Sequence, residues 1–418
     1  MRAILVNTLS ICLLTALLAV GTLESMAATP DSLPPGIAFS TQKVAKGLQR
    51  APGGKVLAAD GTNFYTAYTF IPRGGGEEFL MLSRGTNSGK TWESPYTVIK
   101  VPPDLLTPYV AVAAGGDAAD TTRKIIQLVW HQYDDNSHTK GSVYYSWADN
   151  TKLNKWSIPV KINGSAMPAN SNSLVSIVAG RTGAIHVLFW GNDEKLYATT
   201  AQSRTSTFTP PAPLPGNPRY DTDPDMVLDG NGNLHAAFMF SDDPGKIGLR
   251  YTKKAAGSTT WMDPVVVLPL TNAGSSGFCS IAAQDENNIY IALQFDGVGL
   301  FVFSSANGGA SWSQKAVAKP TATSNPSMHV SIAASPTKIL TVGTNFDDPT
   351  SPGATAAKIF KSTDGGITWG TPATLSGHRS VSIALDGSGK AGIMTNLRKS
   401  TAAEQEDPNA ELYFSKEK

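Results

Sequence analysis

The sequence predicts an all-β chain that folds as a seven-bladed β-propeller, and three observations lead to this prediction. A unit of about 50 residues recurs seven times, with one longer unit of roughly 65 residues. Each unit holds about four short segments in which apolar and polar residues alternate, as they do in strands. Glycine and proline, at 39 and 27 residues, supply the many turns that such a chain needs.

The first residues have the composition of a secretory signal peptide. Arg2 gives a short basic start, residues 4–20 are almost wholly apolar, and residues 25–27 (Ser-Met-Ala) match a cleavage site. We expect cleavage after Ala27, or alternatively after Ala28, and export to the periplasm or the cell exterior. The alternative is an uncleaved membrane anchor. No later segment is apolar enough over the required length to span a bilayer, so no membrane insertion is expected after cleavage.

The composition narrows the functional classes. A net charge of +1 provides no electrostatic footprint for nucleic acid. Cys279 is the single cysteine left after cleavage, so an internal disulfide is excluded, and its apolar surroundings predict a buried thiol. Residues 28–418 are therefore expected to form one propeller domain, acting as a monomer and stabilised by its core.

The repeated unit has two halves. The first half is a small-apolar strand, a turn and a second strand, and its copies begin near Lys55, Tyr109, Leu174, Met226, Ser280, Ser331 and Ser382. The second half is a third strand, a tight loop with a tryptophan, and a strand usually opened by proline. Phe208 takes the place of the tryptophan in the third unit. Four-stranded repeats of this length are typical of propeller blades.

The ends of the chain predict how the ring closes. The last unit stops at Lys418 without a fourth strand, whereas residues 37–48 form a spare strand before the first unit. We predict that this N-terminal strand completes the last blade, because closure removes exposed sheet edges. The alternative is a six-bladed ring with one irregular unit.

One short motif lies between the third and fourth strands of three units. Ser362–Trp369 has the form Ser-x-Asp-x-Gly-x-Thr-Trp, while Ser305–Trp312 and Gly85–Trp92 carry asparagine in the aspartate position. These stretches resemble the Asp-boxes, or bacterial neuraminidase repeats, of the sialidase superfamily. The regular spacing of the repeated units extends the resemblance over most of the chain, and the resemblance implies a propeller fold.

A structural role explains the motif without catalysis. A short polar side chain in a tight loop accepts backbone hydrogen bonds, and a tryptophan fills space between blades. The residues predicted to act in this way are Asn87, Trp92, Asn307, Trp312, Asp364 and Trp369.

Any ligand site is expected on the face where first strands begin and second strands end. This face surrounds the central channel, and we call it the channel face. Acidic residues recur at the second-strand exits, at Asp134-Asp135, Asp193, Asp242-Asp243, Asp296 and Asp347-Asp348. We interpret them as turn caps. The alternative is an acidic rim that binds sugar hydroxyls or a calcium ion. No other cofactor is expected, and no close-spaced histidine and cysteine cluster indicates a metal site.

The resemblance to sialidases implies a demanding active site. In that family three arginines grip a carboxylate, a tyrosine activated by glutamate attacks, and an aspartate serves as acid and base. The candidate catalytic residues on the channel face are Arg50, Arg219, Tyr220, Asp223 and Arg379. Arg50 begins an Arg-Ala-Pro that resembles the Arg-Ile-Pro of the family's first blade, but no tyrosine–glutamate pair is evident. An exo-acting glycosidase is therefore the alternative function.

Some propellers are polysaccharide lyases that use histidine, tyrosine and arginine, which makes this reaction a further alternative. His131, His138 and His378 lie in or beside loops of the channel face, whereas His186 and His235 occupy a packing position.

The leading hypothesis is an exported, non-catalytic propeller that binds a glycan or an extracytoplasmic protein. The residues predicted to contact the ligand are Tyr133, Asp134, Asp242, Phe346 and His378.

Overall fold

The computed structural model describes residues 38–48, 55–72, 76–164, 174–216, 224–241, 246–271, 277–295, 299–318, 330–347, 355–397 and 410–418. These residues form strands and turns without any helix, and hence include no helix of the length and apolarity needed to cross a membrane. The all-β class predicted from the alternating segments is confirmed.

Twenty-nine strands occur in the described residues. The chain starts with β1 (Phe39–Leu48). Blade 1 contains β2 (Leu57–Asp60), β3 (Asn63–Phe70), β4 (Glu78–Thr86), β5 (Thr91–Trp92) and β6 (Tyr96–Val101). Blade 2 contains β7 (Leu106–Asp117), β8 (Asp120–Tyr133), β9 (Gly141–Asp149) and β10 (Val160–Lys161). Blade 3 contains β11 (Val175–Ala179), β12 (Ile185–Trp190), β13 (Leu196–Ala201) and β14 (Ala212–Pro213).

The remaining blades repeat the same order. Blade 4 contains β15 (Asp225–Leu228), β16 (Leu234–Phe240), β17 (Ile247–Lys254) and β18 (Val265–Thr271). Blade 5 contains β19 (Gly277–Ala283), β20 (Ile289–Phe295), β21 (Gly299–Ser305) and β22 (Ser313–Ala318). Blade 6 contains β23 (Ser331–Ala334), β24 (Leu340–Asp347), β25 (Thr355–Ser362) and β26 (Ala373–Ser376). Blade 7 contains β27 (His378–Leu385), β28 (Ala391–Leu397) and β29 (Ala410–Glu417).

The first strands of neighbouring blades contact one another around a ring and line the channel. Within each blade the strands pair antiparallel in chain order, so first strands begin and second strands end at the same end of the propeller. We call this the loop-rich end. The loops between third and fourth strands lie at the opposite end.

The N-terminal strand closes the ring. β1 pairs antiparallel with β29 from Phe39 opposite Glu417 to Leu48 opposite Ala410, and thereby becomes the outer strand of blade 7. This confirms both the predicted count of seven blades and the predicted closure. Pairing at both of its edges leaves β29 without the exposed edge that it would otherwise present.

The core is divided among the interfaces between blades. Seven apolar clusters occur, one for each pair of neighbouring blades, including the pair formed by blades 7 and 1. Strand alternation causes this division, because successive side chains point to opposite neighbours. Phe64, for example, is fully buried between blades 1 and 7, and burial of such a side chain contributes about 2 kcal/mol. Cys279 is a buried thiol between blades 4 and 5, as predicted.

Candidate functional site

An ion pair closes the channel near its loop-rich end. Lys55 precedes β2 in blade 1, and its Nζ lies 2.7 Å from Oδ1 of Asp225, the first residue of β15 in blade 4. The same Nζ donates to the carbonyl oxygen of Met226 at 2.6 Å. The space left around them is about 20 Å³, which holds about one water molecule. Among the described residues, this ion pair therefore obstructs the channel at this level.

The Asp225 carboxylate is occupied by donors from several blades. Its Oδ1 accepts from its neighbour's amide, Met226 N, at 2.7 Å, and from Ser176 Oγ of blade 3 at 3.4 Å. Its Oδ2 accepts from Ser280 Oγ at 2.7 Å and from Ile281 N at 2.9 Å, both in blade 5. A carboxylate with this many donors stabilises the ring and is poorly suited to accept a proton in catalysis.

Polar side chains of blades 6 and 7 lie near one another at the loop-rich end, and we call this region the mouth cleft. Its residues are Asn345 and Thr355 of blade 6 and His378, Arg379, Thr395 and Tyr413 of blade 7. Strand alternation places the blade 6 side chains there: Asn345 lies opposite Ala357, which packs in the apolar cluster between these two blades. Two of the residues predicted from the sequence, His378 and Arg379, thus meet in one cleft.

Arg379 supplies the positive charge of the mouth cleft. It is half-buried, and its Nε donates to Thr355 Oγ1 at 2.7 Å, which joins blade 7 to blade 6. Within the described ranges, no carboxylate forms an ion pair with Arg379. A guanidinium oriented by a neutral hydroxyl is suited to bind a carboxylate or sulfate from outside the protein.

His378 is the first residue of β27 and is 9% exposed. Its Nδ1 lies 2.8 Å from Thr395 Oγ1, and its ring meets Tyr413 edge-on with centroids 5.0 Å apart. Burial lowers the pKa of His378 below its usual value, because the charged form would lose its hydration. The imidazole is therefore neutral at neutral pH and adds no second cation to the cleft.

Tyr413 belongs to a tyrosine–glutamate pair that the sequence analysis missed. Its hydroxyl donates to Glu411 Oε2 at 2.7 Å, while Glu411 Oε1 lies 3.0 Å from Lys43 Nζ of β1. The hydrogen bond to Glu411, together with burial, raises the pKa of Tyr413, so the phenol stays protonated. The signal for this pair was the Glu-x-Tyr spacing at the start of β29, which puts both side chains on one face of the strand.

Asn345 places an unsatisfied acceptor in the wall of the cleft. It is 3% exposed, and its Oδ1 has no hydrogen-bond partner in the part of the chain that the structure describes. Buried acceptors of this kind are uncommon and costly. The same strand position in other blades is also buried and polar, in Thr69, His131, Gln294 and Asn396. Thr69 and Gln294 each follow a tyrosine of the second strand, Tyr65 and Tyr290, by four residues.

Tyr133 and Asp134 lie in blade 2, which blade 1 separates from the mouth cleft around the ring. Tyr133 ends β8 and stacks on His138 with centroids 4.2 Å apart, while His131 meets it edge-on at 5.1 Å. Burial lowers the pKa of His131 to about 4. Asp134 accepts from Ser142 Oγ at 2.9 Å. The structure thus does not bring these residues together with His378.

Other predicted site residues lie outside the described residues, namely Arg50, Arg219, Tyr220, Asp223 and Asp242. Phe346 lies in β24, but only its backbone is described. Of the arginines that the structure does describe, Arg379 alone lies at the start of a first strand. The three-arginine arrangement that the sialidase resemblance implies stays a prediction.

Two of the described acidic residues at the second-strand exits, Asp135 and Asp193, cap turns. Asp135 Oδ1 accepts from Ser137 N at 3.0 Å, and Asp193 Oδ1 accepts from Lys195 N at 3.3 Å. Asp193 Oδ2 also accepts from the Tyr197 hydroxyl at 2.9 Å. The described part of the chain contains no group of three or more histidine, cysteine, aspartate or glutamate residues that could hold a metal ion. A calcium ion on these loops therefore stays a prediction.

The box loops bridge the third and fourth strands at the end opposite the mouth cleft. Asp364 accepts from Thr368 N at 3.0 Å and from Thr368 Oγ1 at 2.6 Å. Ser362 Oγ accepts from Gly366 N at 2.8 Å, where a φ of 89° requires glycine. In the blade 5 box, Asn307 Oδ1 likewise accepts from Ser311 N at 2.9 Å.

The box tryptophans pack towards the preceding blade. Trp312 contacts Tyr251 of blade 4, and Trp92 contacts Phe414 of blade 7, each with ring centroids 5.1 Å apart. Trp369 packs against the cluster between blades 5 and 6. These contacts hold neighbouring blades together and lie far along the strands from the loop-rich end.

Comparisons with known proteins agree with the fold. No protein-family model matches the chain, and no curated protein matches it. Among solved structures it is similar to an ulvan lyase of polysaccharide lyase family PL25, at 12% identity and a TM-score of 0.60, over 89% of this chain and 95% of that one. It is also similar to YCF48 bound to a D1 peptide, at 13% identity and a TM-score of 0.50, over 92% and 97% of the two chains.

A Hadza microbial sialidase matches at 14% identity and a TM-score of 0.49, over 81% of this chain and 73% of that one. At these identities the similarity concerns the fold alone. The chain therefore has the β-propeller fold that sialidases and other propellers share, without close similarity in sequence to any of these structures.

Proposed function

We propose that this chain is an exported, non-catalytic module that binds an acidic glycan in the mouth cleft. The observation that carries the proposal is the guanidinium of Arg379, which is oriented by Thr355 Oγ1 and has no carboxylate partner among the described residues. A uronate carboxylate or a sugar sulfate matches such a group in charge and shape.

A further observation favours binding over catalysis. The Asp225 carboxylate, which pairs with Lys55 across the channel, is occupied by structural donors. The hydrogen bond from Tyr413 to Glu411, by contrast, is the pairing that the glycosidase alternative would use.

The solved propellers offer an analogy for both proposed classes of partner. The ulvan lyase is described bound to -[GlcA(1-4)Rha3S]-, and YCF48 is described bound to a D1 peptide. We favour the glycan because the side chains that define the mouth cleft are polar and include one cation, Arg379. Export is supported by the apolar N-terminal segment and its small-residue cleavage signal.

The test is titration of the purified chain with uronate-bearing, sulfated and neutral oligosaccharides by calorimetry. We expect an acidic oligosaccharide to bind at the mouth cleft. The affinity of this site for neutral analogues should be at least about tenfold lower. A synthetic acidic peptide forms a second arm, and binding of the peptide alone would replace the glycan by a protein partner. Failure of every acidic ligand to bind would refute the proposal.

A lyase is the second candidate, because arginine, histidine and tyrosine do meet in the mouth cleft. In such a reaction Arg379 would neutralise the uronate carboxylate, and neutral His378 would accept the proton from the carbon that carries this carboxylate. Tyr413 would donate a proton to the leaving oxygen. Ultraviolet absorbance of an unsaturated uronate would reveal this activity. A fluorogenic sialoside tests the glycosidase alternative. Turnover that Arg379→Ala abolishes, in either assay, would overturn the non-catalytic proposal.

A further inference from the structure

A groove lies at the opposite end of the propeller from the mouth cleft, between the box loops of blades 5 and 6, and we call it the box groove. Its walls are the two boxes, residues 305–312 and 362–369, and the hairpin turns at residues 285–288 and 335–338. Its volume of about 360 Å³ lies in the range of small-molecule binding sites. All of its lining residues belong to the described part of the chain.

Two apolar surfaces line the box groove and have defined positions. Trp312 Nε1 donates to Gly309 O at 3.0 Å, and its ring contacts Tyr251, so the indole is fixed in orientation. Ile367 is 67% exposed, an unusual position for an isoleucine side chain in a loop. A rigid indole and an exposed aliphatic side chain suit the apolar face of a sugar ring.

The polar groups of the box groove are mostly neutral. The hydroxyls of Ser304 and Ser313 lie 2.7 Å apart, and Ser313 is exposed. The two charged side chains that line the groove are Lys338 and Asp364, which balance each other. Burial alone would raise the pKa of Asp364, but hydrogen bonds from Thr368 and Ser362 outweigh it and lower the pKa, so the carboxylate stays ionised.

We propose that the box groove is a second binding site, which takes a neutral sugar unit. The neutral hydroxyls of the groove provide hydrogen-bond partners for sugar hydroxyls, while Trp312 supports the ring face. The opposite charges of Lys338 and Asp364 leave no net charge to attract an acidic sugar. This inference does not depend on the mouth cleft, because the two sites share no residue and lie at opposite ends of the blades. A chain with both sites could join an acidic glycan to a neutral one.

The test uses Ser313→Arg, which fills the groove, and Gln314→Arg as the matched control. Gln314 is also exposed but points to the other face of β22. Neutral oligosaccharides ending in glucose, galactose, mannose or fucose are titrated by ligand-observed nuclear magnetic resonance. We expect at least one to bind, with affinity reduced about tenfold or more in Ser313→Arg and unchanged in Gln314→Arg and Arg379→Ala.

The unfolding midpoints of the variants are compared with that of the parent chain. Should Ser313→Arg unfold, Ile367→Glu takes its place, because this exposed position tolerates a charge and the added carboxylate occupies the groove. The inference is wrong if no neutral oligosaccharide binds, or if binding survives both groove variants. Loss of neutral-sugar binding in Arg379→Ala would transfer the sugar to the mouth cleft and would also overturn it.

Discussion

Lys55 Nζ and Asp225 Oδ1 lie 2.7 Å apart and join blade 1 to blade 4 across the channel. Around this pair, serines of the first strands accept amide hydrogen bonds from the next blade: Ser280 Oγ from Ile332 N at 3.3 Å and Ser331 Oγ from Ile383 N at 3.0 Å. The ring is therefore stabilised from its centre by polar contacts as well as from its blade interfaces by apolar ones.

Asp225→Asn should destabilise the propeller. The change leaves the ammonium of Lys55 partly buried without its counter-charge, and we expect the free energy of unfolding to fall by about 3 kcal/mol. Urea unfolding measures the loss. Asp193→Asn breaks the ion pair with Lys195, which is more exposed than the central pair, and should cost about 0.5 kcal/mol or less. Equal effects of the two substitutions would show that the central pair is no more important than a surface pair.

Arg379→Ala should weaken binding of an acidic oligosaccharide by about tenfold to a hundredfold, because it removes the cation of the mouth cleft. Arg379→Lys should recover part of the affinity, since an ammonium restores the charge without the planar fork. Calorimetric titration gives the dissociation constants. Lys315→Ala, which removes an exposed lysine of β22, is the charge-matched control and should bind as the parent chain does. An unchanged affinity in Arg379→Ala would contradict the proposed site.

The protein should become less stable as the pH falls from 6.5 towards 4. Burial lowers the pKa of His131 and His186 to about 4, and it also lowers the pKa of His235 and His378. In this window the unfolded chain binds protons that the folded chain does not, so His131 and His186 each subtract up to about 1.4 kcal/mol per pH unit, and His235 and His378 act in the same direction.

Urea midpoints at several pH values test this dependence. His131→Gln should flatten the slope, whereas Asn136→Gln in the adjacent exposed loop should leave it unchanged. A slope that His131→Gln does not alter would mean that the buried imidazole is not one of its sources.

Asp364→Ala should lower the free energy of unfolding by about 0.5–1.5 kcal/mol, because the amide and hydroxyl of the exposed Thr368 lose their acceptor. Asp364→Asn should cost less, since Asn307 performs the same function in blade 5. Thermal unfolding measures both, with Thr363→Ala at an exposed position of the same box as control. Loss of acidic-glycan binding in folded Asp364→Asn would argue against a purely structural role at that end of the molecule.

Treatment with a chelator should leave acidic-glycan binding and the thermal midpoint unchanged. Asp135 and Asp193 are engaged in turn capping, which explains these exit carboxylates without a cation. Titration before and after exhaustive treatment with ethylenediaminetetraacetate, with calcium returned in a final sample, provides the measurement. Loss of binding that calcium restores would favour the acidic rim instead.

The site could be predicted only in part, for a physical reason. His378 and Arg379 were identifiable because an imidazole and a guanidinium stand side by side in a stretch predicted to be a loop of the channel face. Glu411 and Asn345 were not identified, because they lie in strands of alternating polar and apolar residues. A polar residue in such a strand is ordinarily predicted to face the solvent. Lys55 and Asp225 are 170 residues apart in the sequence, counted from their numbers, and no local pattern predicts that they meet.

The all-β class, the seven repeats, the closing N-terminal strand and the box loops could all be predicted from the amino-acid sequence. All of these depend on local periodicity and turn chemistry, which each unit carries independently of the others. Tertiary structure alone decided which polar side chains share a cleft, which of them are buried, and that the channel is closed by Lys55 and Asp225. Those relations depend on how seven blades are arranged around one axis, and closure of the ring brings residues from distant repeats together.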